Sequence, residues 1–242
     1  MKNKIAVVTG GSRGIGAGIA RKLAAAGASV AVVYQRRADA ADAVVAELRR
    51  TGAKAAAWQA DVADQLALER VMREVRAAFG PIDALVNCAG VFDGGAAGEI
   101  SRQSFEHLFF TNTWSVIAAT QAALPQFADH AAVVNLSTSL VARPQAGTSV
   151  YTASKAAVDS LTLGFAIELG ARGIRVNAVG PAVTHTDMTA GLPADMLAEE
   201  KRLTPLGRLA ETDDIADAVA FLCSDASRWI TGRSILVDGG RN

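Results

Sequence analysis

Cysteine, histidine and the aromatic residues are all scarce in this sequence, and each scarcity closes off a class of function. The two cysteines, Cys88 and Cys223, form no CxxC and no Cys/His spacing, so neither a disulfide framework nor a structural zinc site is expected. The histidines His107, His130 and His185 also lack ligand spacing, and no metal is expected. An excess of one charge is missing too. Twenty-four basic residues balance twenty-four acidic ones, leaving no long-range field to hold nucleic acid or an anionic membrane. No apolar run approaches the ~18 residues a spanning helix needs, and the run in MKNKIAVVTGG is too short for a signal peptide. A cytoplasmic protein with neither nucleic acid nor membrane as partner is expected. With aromatics at 5% and hydrophobic residues at 50%, its core must come mainly from Ala, Val, Leu and Ile.

What is present is a repeating pattern. Short β-branched runs at Ile5–Val8, Val30–Tyr34, Ala55–Gln59, Ala84–Val86, Ala132–Leu136, Arg175–Val179 and Ser234–Val237 are apolar on both faces, as parallel strands covered by helices are. Between them, Ala38–Arg50, Asp64–Phe79, Ser101–Phe127, Val150–Ala171 and Thr212–Ser224 have helical spacing. Strand alternating with helix predicts an α/β, doubly wound parallel sheet of the Rossmann type, one domain over residues 1–242. The least regular stretch, Thr184–Pro205, carries two of the six prolines. A long, weakly patterned segment inside a compact domain reads as a lid.

The sequence AVVTGGSRGIGAGIARKL places Gly10, Gly14 and Gly16 between the first strand and the first helix. Glycines there allow a tight turn and close backbone approach, and the helix N-terminus offers unpaired N–H groups to a pyrophosphate. The end of the second strand is where an acid would bind a ribose 2′-hydroxyl. This chain has Tyr34 and Gln35 there, followed by Arg36 and Arg37. Arginine matches a 2′-phosphate in charge and fork geometry, so NADP(H) is expected in preference to NAD(H), with Arg13 as a further cation.

Tyr151 and Lys155 are four residues apart and share one helix face. A lysine ammonium at ~5 Å would favour the phenolate by roughly 3 kcal/mol at an effective dielectric of about 20, lowering the tyrosine's pKa by a little over ~2. That pairing makes a general acid/base without histidine.

Taken together, TGGSRGIG, ADV at Ala60–Val62, VNCAG at Val86–Gly90, TNTWSV, YTASK, RVNAVGP and ITGRSILVDGG resemble the short-chain dehydrogenase/reductase family over nearly the whole chain. The resemblance implies a catalytic set of Asn112, Thr138, Tyr151 and Lys155. Tyr151 would protonate the developing alkoxide, Lys155 would lower its pKa and bind the nicotinamide ribose, and Asn112 would help hold a relay water. Counting thirteen back from Tyr151 gives Thr138 where the family has a serine, with Ser139 next in line should the register slip. The implied cofactor cradle is Gly10, Ser12, Arg13, Gly14, Ile15 and Gly16, then Tyr34, Arg36, Arg37, Asp61 and Val62, then Asn87, Ala89 and Gly90. Pro181, Val183 and Thr186 complete it with Tyr151 and Lys155.

The implied activity is reduction of a ketone or aldehyde by NADPH, or the reverse, on a small-molecule substrate. A 3-oxoacyl thioester reductase is the alternative and would need a basic patch at the pocket. A non-catalytic dinucleotide sensor remains open as well. A homotetramer or homodimer is also implied, through the long helices and the last strand. Pocket walls are expected from Val91–Ala96, Leu140–Gln145 and Thr184–Pro205, with Arg143, Gln145 and His185 as polar anchors. Thr148 and Ser149 are expected to cap the helix bearing Tyr151, and Cys88 to pack without redox chemistry. The family's Pro-Gly reads Pro181-Ala182 here, which puts the backbone conformation beside the nicotinamide in question.

Overall fold

A computed structural model describes residues 1–241. Seven parallel strands form one sheet: β1 (Ile5–Thr9), β2 (Ser29–Tyr34), β3 (Ala55–Gln59), β4 (Ile82–Asn87), β5 (Phe127–Leu136), β6 (Arg175–Pro181) and β7 (Ser234–Val237). Their order is β3-β2-β1-β4-β5-β6-β7. Helices α1 (Gly14–Ala25), α2 (Ala38–Arg50) and α3 (Gln65–Phe79) follow the first three strands. The doubly wound Rossmann-type sheet is the expected fold.

The physical reason lies in the alternation along each strand. Ala6 and Val8 of β1 pack into one buried cluster with Ile19 and Leu23 of α1 and Val44 of α2. Ile5 and Val7 point the other way, into a second cluster with Leu68, Val71 and Met72 of α3. Both faces are covered, so both sets of side chains must be apolar. The chain winds in opposite directions from β1 to β2 and from β1 to β4. The strand ends Thr9 and Asn87, which are register partners, therefore border the crevice where such sheets bind ligands.

Three expectations need correction. The helix expected over Ser101–Phe127 is α4 (Arg102–Phe109), a π-helical turn at Phe110–Trp114, and α5 (Ser115–Ala123). Pro125 cannot continue a helix, and Phe127 already opens β5, pairing with Ile82. Second, Thr184–Pro205 is not irregular throughout, because α7 (Ala194–Leu203) forms within it after Pro193. Third, Thr148 occupies the N-cap position of α6 (Ser149–Leu169), but its side chain caps no N–H of the helix. Its hydroxyl donates to the Gln145 carbonyl at 2.8 Å and lies 3.2 Å from the Thr152 hydroxyl. The last helix is α8 (Thr212–Cys223). No helix among the described residues is long and apolar enough to cross a membrane.

Candidate active site

The glycine loop is shaped first by its own packing. A Cβ on Gly16 would lie 2.2 Å from the Gly10 carbonyl oxygen, and one on Gly10 would lie 2.9 Å from the Ala89 Cα. Gly10 and Gly14 also have φ of +66° and +51°, in the left-handed region that glycine enters freely. The loop therefore wraps tightly against the end of β4, and α1 starts with no side-chain cap and no acid in its first turn. Its N–H groups and dipole end are left for an anion. Gly16→Ala should cost about 3 kcal/mol or more through that backbone clash, read as a lowered urea midpoint with an unchanged slope.

Around this cradle, Thr186 lies against Gly14: a Cβ there would sit 3.4 Å from its Cγ2. Gln35 donates to Asp61 at 2.7 Å, bringing the end of β2 to the loop after β3. The two arginines differ. Arg37 is held by Asp39 through two bonds of 3.0 and 2.8 Å, and this pairing keeps the Asp39 carboxyl down at about 2. Arg36 is exposed and has no side-chain partner among the described residues. Asn87 donates to Asn135 at 2.9 Å, and Asn135 donates on to Thr162 at 2.9 Å. The Asn87 Oδ1 atom is buried at the crevice without a partner, an acceptor that a bound donor would satisfy.

The hydroxyl cluster lies at the C-terminal end of β5. The Thr138 hydroxyl lies near enough to the Tyr151 phenol to favour the phenolate, and it accepts from the Leu140 N–H at 3.3 Å. Ser139 is buried in the following 3₁₀ turn, and Thr138 is the hydroxyl that acts on the phenol. Phe92 packs edge-on against Tyr151, ring centroids 4.9 Å apart.

Burial pushes the Tyr151 phenol above its ordinary range, and the Thr138 hydroxyl draws it partly back. The expected lowering by Lys155 is not what the geometry produces. The lysine is 5% exposed, and its Nζ donates to the Leu136 carbonyl at 2.8 Å. Burial pulls Lys155 itself down to about 8. Gly90 makes room for it, since a Cβ there would stand 3.3 Å from Nζ.

Asn112 sits in the π-helical turn, fully buried. Its side chain accepts from Val91 N–H at 2.8 Å and donates to the Val91 carbonyl at 3.0 Å and to Ser154 Oγ at 3.1 Å. Both amide protons are occupied, so this side chain clasps the β4–α4 loop to α6 instead of offering a donor to a water. Ser154 and Asn135 were not anticipated. Their only signals are the position of Ser154 between Tyr151 and Lys155, and that of Asn135 at the end of a strand.

A model of a family described as enoyl-(acyl carrier protein) reductase matches residues 10–242. A 3-oxoacyl-[acyl-carrier-protein] reductase of Staphylococcus epidermidis is 40% identical over 240 residues, 98% of each chain. A cis-4-hydroxycyclohexanecarboxylate dehydrogenase of Sinomonas cyclohexanicum is also 40% identical, over 98% of this chain and 96% of its own. A short-chain dehydrogenase from Burkholderia cenocepacia, solved in complex with NADP, is 41% identical with a TM-score of 0.94, covering 100% of this chain and 98% of its own. The chain belongs to the short-chain dehydrogenase/reductase family. It is an oxidoreductase acting between CH–OH and C=O.

As a short-chain dehydrogenase/reductase, the chain departs from its expected pocket at several polar residues. Arg143 is bound to Asp238 at 2.5 Å, Gln145 donates to Glu200 at 3.1 Å, and His185 Nδ1 lies 3.3 Å from Glu211. Arg143 and Gln145 are thereby engaged, whereas the His185 side chain stays 56% exposed beside Glu211. Ala182 is harmless, since the only described non-glycine residues at positive φ are Asn3 and His130. Burial pushes both thiols, Cys88 and Cys223, up to about 12, which leaves them unreactive. No cluster of His, Cys, Asp and Glu suited to a metal ion occurs among the described residues.

Proposed function

We propose that this chain is an NADP(H)-dependent reductase of a small ketone or aldehyde, or a dehydrogenase of the matching alcohol, with Tyr151 as general acid/base. The carrying observation is the Tyr151 phenol beside the Thr138 hydroxyl, one helical turn from a buried Lys155. A raised phenol pKa keeps Tyr151 protonated at neutral pH, so it can donate to an alkoxide forming beside it. Thr138 offers a hydroxyl to the same oxygen and steadies the phenolate left behind. Lys155 presents an ammonium held by the Leu136 carbonyl, close enough to Gly90 to meet a ligand lying over that loop. Asn112 positions the loop by its grip on Val91. The bound nicotinamide dinucleotide would supply the hydride.

The cradle fits a dinucleotide: the glycine loop, the uncapped α1 and the orphaned Asn87 acceptor lie along one crevice. Arg36 supports the 2′-phosphate, and Arg37 supports it less because Asp39 already neutralises it. Arg36→Leu should weaken NADPH binding about tenfold and leave NADH nearly unchanged. Arg37→Leu should cost less than about threefold. Fluorescence titration with both cofactors checks the difference, and equal losses for NADPH and NADH would refute the assignment.

The two relatives at 40% identity act, by name, on different compounds, so identity does not choose the substrate. A cavity of about 210 Å³ beside Val150 is lined by Asp93, Glu99, Ser101 and Ser104, with no basic residue. That cavity reaches none of Thr138, Tyr151 and Lys155, and the thioester alternative, which needs a basic patch, is supported by the Staphylococcus relative. NADPH consumption with diketones, β-keto esters and acetoacetyl thioesters separates it from a free carbonyl substrate. Exposed Phe105, Phe110, Leu163 and Ile167 on α4, the following turn and α6 support assembly as a homotetramer, or homodimer, through these helices.

A further inference from the structure

Helix α7 is attached to the rest of the protein in an unusual way. None of its residues is fully buried, whereas α3 buries four. The Glu199–Arg202 pair at 2.7 Å ties the helix only to itself. Beneath it lies a cavity of about 190 Å³ reached by Ala182, Val183, Glu200, Thr204, Val237 and Asp238. A helix with no fully buried residue and with space below it belongs to the low-stability end of a structure.

One side chain crosses to the body. Glu200 Oε2 accepts from Arg241 Nε at 3.0 Å, and Oε1 accepts from Arg241 Nη2 at 3.1 Å. The same Oε1 accepts from Gln145 at 3.1 Å. The two charged side chains are only 14% and 12% exposed. A two-pronged pair shielded from water is stronger than a surface ion pair. The chain turns back to present Arg241 through Gly239 and Gly240, at φ of +64° and +77°. A Cβ on Gly239 would stand 2.7 Å from Thr204 Cγ2, so this turn seats directly under the end of α7. Its other arm is Asp238, bound to Arg143 of the loop after Thr138. The C-terminal turn thus holds the Thr138 loop with one carboxylate and α7 with one guanidinium.

We propose that Glu200 and Arg241 are the positioning residues of the lid helix α7, forming a latch that must part before the helix moves off the cavity beneath it. The lid role rests on the reductase function proposed above; the latch itself does not. Gln145 adds the substrate-side loop to the same carboxylate, so a closed lid and an ordered loop occur together.

The test is amide hydrogen exchange on the full-length protein without cofactor, for wild type, Arg241→Gln, the isosteric Glu200→Gln, and the double variant. Residues 194–203 should exchange about tenfold faster in each single variant and no faster in the double, because each removes the same bond. Amides of β1 and β4 should not change. Arg241→Lys, which keeps the charge but not the fork, should fall between wild type and Arg241→Gln. Unchanged exchange over 194–203, a double variant near a hundredfold, or equal acceleration across the sheet would each overturn the latch. With a substrate in hand, Arg241→Gln should raise KM about fivefold and hold kcat within about twofold. Exchange needs no turnover, so a chain that reduces nothing would defeat the reductase reading and leave the latch to be judged on exchange alone.

Discussion

Tyr151→Phe should lower kcat by about 10³-fold, within the range that a positioned general acid supplies. The substitution removes one oxygen and keeps the ring that Phe92 packs against at 4.9 Å, so the pocket wall survives. NADPH affinity should change by no more than about threefold, because the loss is in proton transfer and not in the phosphate cradle. Wild-type NADPH consumption with at least one carbonyl compound, abolished in the variant, would establish the role. A wild type that binds NADPH tightly and turns over nothing would favour the sensor, for which Tyr151→Phe should be silent.

Lys155→Met should do two opposite things: remove activity and stabilise the cofactor-free protein. Burial draws Lys155 from 10.5 down to about 8, a difference on the order of 3 kcal/mol against the charged form at neutral pH. Methionine has a similar length and no charge to bury. Its cost is the Leu136 carbonyl, which loses the 2.8 Å bond from Nζ, roughly 1–3 kcal/mol. The net gain near pH 7 is about 1 kcal/mol, or roughly 2–4 °C in Tm for a chain of this size.

The sign with pH follows from the depressed pKa. Between about 8 and 10.5 the unfolded chain holds the lysine proton and the folded chain has released it, so wild-type stability rises with pH through that window. The advantage of Lys155→Met is therefore largest below pH ~8 and disappears, or reverses, as the pH rises. Calorimetry of both proteins across that range checks it. A destabilised variant at pH 7 would mean that the lysine is not a buried cost of the site.

That cost also explains how the site departs from the simple expectation for a Tyr/Lys pair. Spacing alone puts the two residues on one face, and α6 does so. The direction in which Nζ points is a different question, and it is settled by the end of β5, whose Leu136 carbonyl is the nearest acceptor.

The same division runs through the rest of the molecule. β3 and α2 have the bounds read from the sequence, and the glycine loop stands between strand and helix as its pattern requires. These features depend on period and spacing within a few residues. Arg36 against Arg37, and the engagement of Arg143 and Gln145, could not be read that way. Arg143 finds Asp238 95 residues away, and Gln145 finds Glu200 55 residues away. Local chain chemistry determined where the strands, the loop and the Tyr/Lys pair lie. Only the folded sheet, by bringing distant charges and hydroxyls within hydrogen-bond reach, decided which of those side chains are free to act.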